Sequence, residues 1–196
     1  MASLLRRGYG HAVAAGNALA THDLEAAMFG TALGQDIYTK RNVPRGHYHH
    51  LELLNRARRC GSLEKAVAEL GIADGIVAAA LEAGIPLVLA GSIRDDGPLP
   101  GVIADAYRSQ EAMREIAARS TTVIALATQL HAIAFGNMLC SYRADEAGVR
   151  PVYFFIVDIT EFAADKLANR GSFHSTAIST NVQDFCVNLR RALVDD

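Results

Sequence analysis

The chain of 196 residues contains no tryptophan, and aromatic residues make up only 7% of it. A platform for single-stranded nucleic acid needs rings on which bases stack, so that class is set aside. Charge of one sign is not in excess either. Nineteen Lys and Arg stand against 21 Asp and Glu, for a net charge of −2, which leaves no basic footprint for a polyanion. Cysteine is scarce: Cys60, Cys140 and Cys186 are an odd, scattered set. They make no disulfide framework and no CxxC pair, and suit the reduced thiols of a cytoplasmic protein. Long apolar runs are missing as well. The most apolar stretch, residues 122–139, is broken by Gln129, His131, Gly136 and Asn137, which would be costly to place in lipid. Arg6 and Arg7 before an Ala-rich stretch superficially resemble a signal peptide. However, His11, Gly16 and Asn17 interrupt the apolar part and no clean cleavage region follows.

No repeat, low-complexity tract or Ser/Gly/Pro linker divides the chain. What is present is 51% hydrophobic residue content, enough for a folded core. The length suits one domain spanning 1–196. Short apolar runs alternate with helical patterns, the signature of parallel βα units. The pattern predicts strands at 11–15, 86–90 (PLVLA), 121–127 (TTVIALA), 152–157 (VYFFIV) and 176–179. It predicts a helix capped by Thr21 and running to Phe29, then a turn-rich stretch at 30–46. Further helices follow at 49–59, from Ser62, and from Asp74, forming a helical insertion over about 47–83. Beyond the loop at 91–100, helices are expected up to Arg119, from Thr128 to Leu139, from Thr160 to Asn169 with Gly171 as a C-terminal cap, and over 182–193.

Continuous apolar strands imply a parallel sheet covered on both faces. The expected architecture is therefore a Rossmann-like doubly wound α/β fold with three α/β/α layers. Ligands of such sheets bind outside the carboxyl ends of the strands. This selects residues 16–23, 91–98, 128–131, 158–160 and 180–181.

Familiar fingerprints are absent. There is no GxxxxGK[ST], HExxH or GxSxG, and the GxG of Gly8 and Gly10 has Val13 where a third glycine belongs. His47, His49 and His50 offer too few ligands for a closed zinc site. They read as a solvated loop entering a helix, and no metal is expected.

Four constellations remain. Asp158 closes a strand, where a carboxylate can accept from the ribose hydroxyls of NAD and repel the 2′-phosphate of NADP; it could equally be a helix-entry residue beside Thr160. The loop GSIRDDGP (91–98) carries Arg94, Asp95 and Asp96 at a strand end. Its plain reading is a turn in which an Asp bonds its own backbone. Thr128, Gln129, Leu130 and His131 open an apolar helix whose free amides suit an anion; otherwise Thr128 is a simple cap and His131 a core histidine. Asn17 and Ala18, followed by His22 and Asp23, either meet a ligand or stabilise a turn.

The segments GNALATHDLEAAMFGTALG, LAGSIRDDGPLPGVIADAYRSQEAMRE, LATQLHAIAFGNML and VDITEFAADKLANRG together resemble the NAD-dependent ornithine cyclodeaminase family. This family includes archaeal ornithine cyclodeaminases and the C-terminal part of bifunctional arginine dihydrolase/ornithine cyclodeaminases. It is also called the lysine-oxoglutarate reductase/saccharopine dehydrogenase conserved region. The resemblance covers essentially the whole chain. It implies an NAD site in which Asn17 and Ala18 touch the dinucleotide and Asp96 holds a polar part of it. Thr128, Gln129, Leu130 and His131 would surround it, Asp158 would take the ribose, and Asn181 with Val182 would close the adenosine side. The implied chemistry belongs to arginine and proline metabolism. A hydride leaves the α-carbon of ornithine for NAD+, the δ-amine attacks the resulting imine, ammonia departs, and the cyclic imine recovers the hydride to become proline. The cofactor supplies the hydride chemistry. His131 or Asp96 could move protons, and the catalytic residues stay unassigned.

Asn181 stands where the family usually has Asp, and Gln129 where it tends to have Met. The family's long N-terminal portion, with substrate-binding residues and an opening strand, has no counterpart here. An unpaired sheet edge is expected to be covered by a companion subunit or by self-association. Two other functions stay open. One is an NAD-dependent oxidoreductase or deaminase acting on another amino acid or a polyamine. The other is a non-catalytic NAD-binding or structural subunit of a heteromeric enzyme. No nucleic-acid or membrane partner is expected.

Overall fold

The computed structural model describes residues 1–160 and 172–194. The expected helix from Thr160 to Asn169 and its Gly171 cap lie outside the described residues, apart from Thr160 itself. The chain divides into two compact units, Met1–Ser109 and Gln110–Asp196.

In the first unit, β1 (Val13–Gly16) runs parallel to β4 (Leu87–Ala90), with Val13 opposite Leu87 and Gly16 opposite Ala90. The helix α1 (Ala2–Arg6) precedes β1, and α2 (Asn17–Phe29) leaves its end directly. Thr21 is therefore not the cap expected from sequence. It lies inside α2, 1% exposed, and its hydroxyl donates back to the Asn17 carbonyl at 2.9 Å. Gly16 occupies the cap position, and the helix stops at Gly30, whose φ of +67° suits a residue without a Cβ.

The turn-rich stretch holds a minimal hairpin, β2 (Thr31–Ala32) with β3 (Gln35–Asp36). Residues 47–83 carry α3 (His47–Cys60), α4 (Leu63–Glu69) and α5 (Ile76–Glu82). Ser62 caps α4 as its sequence position suggests, accepting from the Lys65 amide. Asp74 does not cap α5. The two carboxylate oxygens of Asp23, reaching from α2, accept from the Ile76 and Val77 amides at 2.9 and 2.8 Å. A long-range cap of this kind leaves no local sequence signal. Ala15, Leu24, Leu53, Leu54, Val77 and Leu89 lie in the main apolar core of this unit, which joins β1 and β4 to α2, α3 and α5.

The helix α6 (Ala106–Ala117) contains the boundary between the units. In the second unit, β5 (Thr122–Leu126), β8 (Tyr153–Asp158) and β9 (His174–Ser179) form a parallel sheet in the order β5–β8–β9. The helix α7 (Gln129–Met138) follows β5, and α8 (Val182–Leu193) follows β9. An antiparallel hairpin of β6 (Tyr142–Asp145) and β7 (Gly148–Pro151) separates α7 from β8. The strand reading did not include this hairpin, because YRAD and GVRP are polar and largely exposed. The two parallel sheets and their helices are the βα units that the alternating pattern implies.

Candidate functional site

In the second unit the strand ends coincide. Leu126 pairs with Val157, Val157 with Ile178, and Asp158 with Ser179. Three of the segments selected by the strand-end rule, 128–131, 158–160 and 180–181, therefore share one rim. After β5, Ala127 donates its amide to Val157 at 3.0 Å and takes a φ of +47°, which non-glycine residues rarely adopt. This sharp turn starts α7 at once. Thr128 stands at the cap position, but its hydroxyl faces His131 Nδ1 at 3.3 Å and makes no side-chain cap bond to a backbone amide. Among the described residues no side chain caps the first turn of α7, and amides so placed at a rim suit an anionic group without a basic side chain. Gln129 and Leu130 are exposed beside them. Burial pushes the imidazole of His131 below its ordinary value, favouring the neutral ring.

Asp158 closes β8. Its Oδ1 accepts from the Thr160 amide at 2.9 Å and from the Thr160 hydroxyl at 2.8 Å. These bonds hold the carboxyl below its ordinary range and keep it ionised. Asn181 caps α8, accepting from the Gln183 amide at 2.8 Å, and Val182 is the first residue of that helix. Asn and Asp serve almost equally as caps. The exchange noted in the sequence therefore preserves the local fold and removes a charge.

In the first unit a second rim lies at the ends of β1 and β4. Asn17 is 3% exposed. Its Oδ1 accepts from the Leu99 amide at 2.9 Å, and its Nδ2 donates to the Gly97 carbonyl at 3.4 Å. Its side chain thus fastens the loop that follows β4, while Ala18 is exposed in the first turn of α2. Asp95 accepts from the Ser92 amide at 2.9 Å, which is the plain turn reading of that loop. Gly97 has a φ of +135°, and a Cβ there would run into the Arg58 guanidinium. Asp96, on the same loop, keeps its side chain about half exposed (49%), with Oδ2 3.3 Å from His50 Nε2.

His50 corrects the view of 47–50 as a solvated approach to a helix. His47 is exposed, but His49 stacks on Phe29 at 4.7 Å and His50 is only 5% exposed. His50 Nδ1 lies 3.0 Å from Oε2 of Glu25, which is fully buried. Glu25 also accepts from the Thr31 hydroxyl at 2.8 Å and from the Leu33 and Gly34 amides, each at 3.1 Å. Burial pushes the Glu25 carboxyl upward, but these four donors outweigh it and hold the group below its ordinary value. Sequence reasoning missed Glu25. A signal was available, because positions 17, 21 and 25 recur at helical spacing and share the buried face of α2 with Ala20 and Leu24. His22 Nδ1 is buried 3.8 Å from Glu25 Oε2. Burial, and after it the neighbouring His50, push the His22 imidazole downward.

Among the described residues, His22, Glu25 and His50 also bring potential metal-ligating atoms within 4.8 Å of one another. Both Glu25 oxygens already accept two donors each, so a cation would have to displace His50 or a backbone amide. We assign no metal to them.

The family model for the arginine dihydrolase ArgZ-like C-terminal Rossmann fold matches residues 1–189. The chain belongs to this family. It is 44% identical over 185 residues to the ornithine cyclodeaminase of Methanocaldococcus jannaschii, a match covering 94% of this chain and 42% of the relative. It is 39% identical over 193 residues to the bifunctional arginine dihydrolase/ornithine cyclodeaminase ArgZ of a Synechocystis species, covering 98% of this chain and 26% of ArgZ. Among solved structures, the ternary complex of AgrE with ornithine and NAD+ superposes with a TM-score of 0.88 at 38% identity, over 99% of this chain and 27% of AgrE. The chain thus spans less than half the length of these relatives. The Rossmann-like fold expected from the alternating pattern is that of the family.

Proposed function

We propose that this ArgZ-like chain is the NAD-binding part of an ornithine cyclodeaminase-like enzyme, which converts L-ornithine to L-proline and ammonia by transient hydride transfer. The observation that carries this reading is the rim of β5, β8 and β9, with the ionised Asp158 at one strand end and the uncapped first turn of α7 at the next. The rim suits the group. A carboxylate accepts from two ribose hydroxyls, and open helix-start amides suit a pyrophosphate. Thr128, Gln129, Leu130 and His131 would hold the phosphates, Asp158 the ribose, and Asn181 with Val182 the adenosine side. Assignment of Asn17, Ala18 and Asp96 to the cofactor rests on the family resemblance alone. When bound, NAD+ accepts a hydride from the substrate α-carbon and returns it. The chain's own residues orient the dinucleotide and exchange protons with the amines. AgrE, whose structure carries both ornithine and NAD+, supports the choice of substrate and cofactor.

The substrate-binding residues are proposed to lie outside these 196 residues, and the assembled enzyme to work in the cytoplasm. Calorimetric titration of NAD+ and NADP+ tests the cofactor assignment. NAD+ should bind more tightly than NADP+, and Asp158→Ala should weaken NAD+ at least tenfold, the loss of one charge-assisted bond of about 1.5–3 kcal/mol. Failure of either nucleotide to bind, with or without a companion, ends the proposal. Turnover unchanged by Asp158→Ala in an active assembly would favour a structural subunit instead.

A further inference from the structure

We propose that Glu25, His50 and Asp96 form a proton relay whose open end, Asp96, exchanges a proton with an amine of the substrate. This deepens the reading above and rests on it for the identity of the substrate.

The geometry fixes the direction of the relay. Glu25 is fully buried and both of its oxygens are filled by donors: the Thr31 hydroxyl, the Leu33 and Gly34 amides, and His50. An acceptor so saturated is a carboxylate and donates nothing. His50 Nδ1 must therefore be the donor in their 3.0 Å contact, and this fixes the tautomer. Only Nε2 is left to gain or lose a proton, and it faces Asp96 Oδ2 at 3.3 Å. The ring is thus held between two carboxylates, one sealed in the core and one about half exposed at the strand-end rim.

From α2, His22 approaches with its ring centroid 5.5 Å away, and burial and His50 keep it toward the neutral form. From α3 itself, Arg58 reaches past to the Pro98 carbonyl at 3.1 Å and steadies the loop that bears Asp96.

Transfer is balanced without any further reactant. A substrate ammonium gives its proton to Asp96 Oδ2, and the proton passes to His50 Nε2. The imidazolium is stabilised by the Glu25 carboxylate, which keeps its hydrogen bond to Nδ1 and takes no proton. In reverse, His50 returns the proton through Asp96 to the departing amine, which leaves as ammonia or ammonium. Asp96 is the catalytic group. His50 and Glu25 position it and store its proton, following the base-and-orienter logic of hydrolase triads.

The test uses the chain with 15N-labelled histidine and reads the ring nitrogens of His50 by NMR. The neutral ring should carry its proton on Nδ1. Glu25→Gln, whose amide can itself donate, should abolish that preference, and Asp96→Asn should move the Nε2 resonance. His47→Gln, at an exposed position, should change neither. An Nε2–H tautomer in the neutral ring, or an Nε2 resonance that Asp96→Asn does not move, overturns the relay. So does one-to-one zinc binding that abolishes the Nδ1–H signal. In an assembly active with NAD+ and ornithine, His50→Gln should lower kcat about a hundredfold and flatten one limb of its pH profile while KM holds. A rise in KM alone would overturn the proposal. If NAD+ fails to bind while the Nε2 resonance responds as expected, the functional reading falls and the relay stands. If NAD+ binds and that resonance does not respond, the reverse holds.

Discussion

Glu25 shows how much one buried side chain can govern. Its carboxylate gathers the β2 hairpin through Thr31, Leu33 and Gly34, and it orients His50 on α3. Replacing it with Ala strands four donors, three of them backbone amides or a buried hydroxyl. Loss of one partner from a buried charged network costs about 3–5 kcal/mol, so Glu25→Ala should lower the urea midpoint sharply at pH 7. The acid dependence follows from the same bonds. The folded-state value lies below the unfolded one, so the stabilisation is fully present above the unfolded value. It is lost as pH falls through the folded one, in the region below about pH 4. Glu25→Gln, with no charge to protonate, should show a flatter stability profile there in chemical denaturation between pH 2.5 and 7.

At the scale of elements, the helix starts carry the information. Ser62 caps α4 locally, Asn181 caps α8 locally, and Asp23 caps α5 from another helix. Removal of a working cap costs about 1 kcal/mol, up to about 2. Asp23→Ala should therefore lower Tm by several degrees, roughly 2–6 °C for a domain of this size. Asp74→Ala should cost less than about 0.5 kcal/mol. Asp74 accepts from the adjoining Gly75 amide and meets Arg6 at 3.6 Å, and its side chain is 86% exposed. Equal losses from the two variants, measured by thermal melting, would contradict this assignment. By contrast, α2 begins after Gly16 and α7 after Thr128 with no side-chain cap, and both of these starts stand at strand ends.

At the scale of the whole molecule, the parallel sheet of the second unit and its rim carry exposed apolar side chains among the described residues. Within it β5 pairs with β8 alone among the described residues. Ile124 on β5 is 38% exposed, Tyr153 on β8 43%, and Leu130 and Ile159 at the rim 80% and 70%. Parallel sheets are normally buried on both faces, and apolar surface of this kind marks an interaction face. We expect this face to meet another polypeptide surface, such as a second copy of the chain. Sedimentation velocity from low to high micromolar concentration should show a concentration-dependent rise in mass, and Ile124→Asp should reduce it. A monomer at every concentration, unaltered by a companion, would exclude such an interface.

The sequence by itself determined the βα alternation, the strand-end segments and the local cap at Ser62, because each depends on neighbours within a few positions. Periodicity and composition report such short-range physics directly. The strand-end rule then selected Thr128 to His131, Asp158 and Asn181, and parallel register alone suffices to bring those segments to one rim. The polar β6–β7 hairpin escaped because no apolar alternation announces it. Only the tertiary structure decided what Asp23, Glu25, Asn17 and His50 do. Their partners lie 53, 25, 82 and 46 positions away, and a hydrogen bond between residues so distant depends on how the helices pack, which no local pattern encodes.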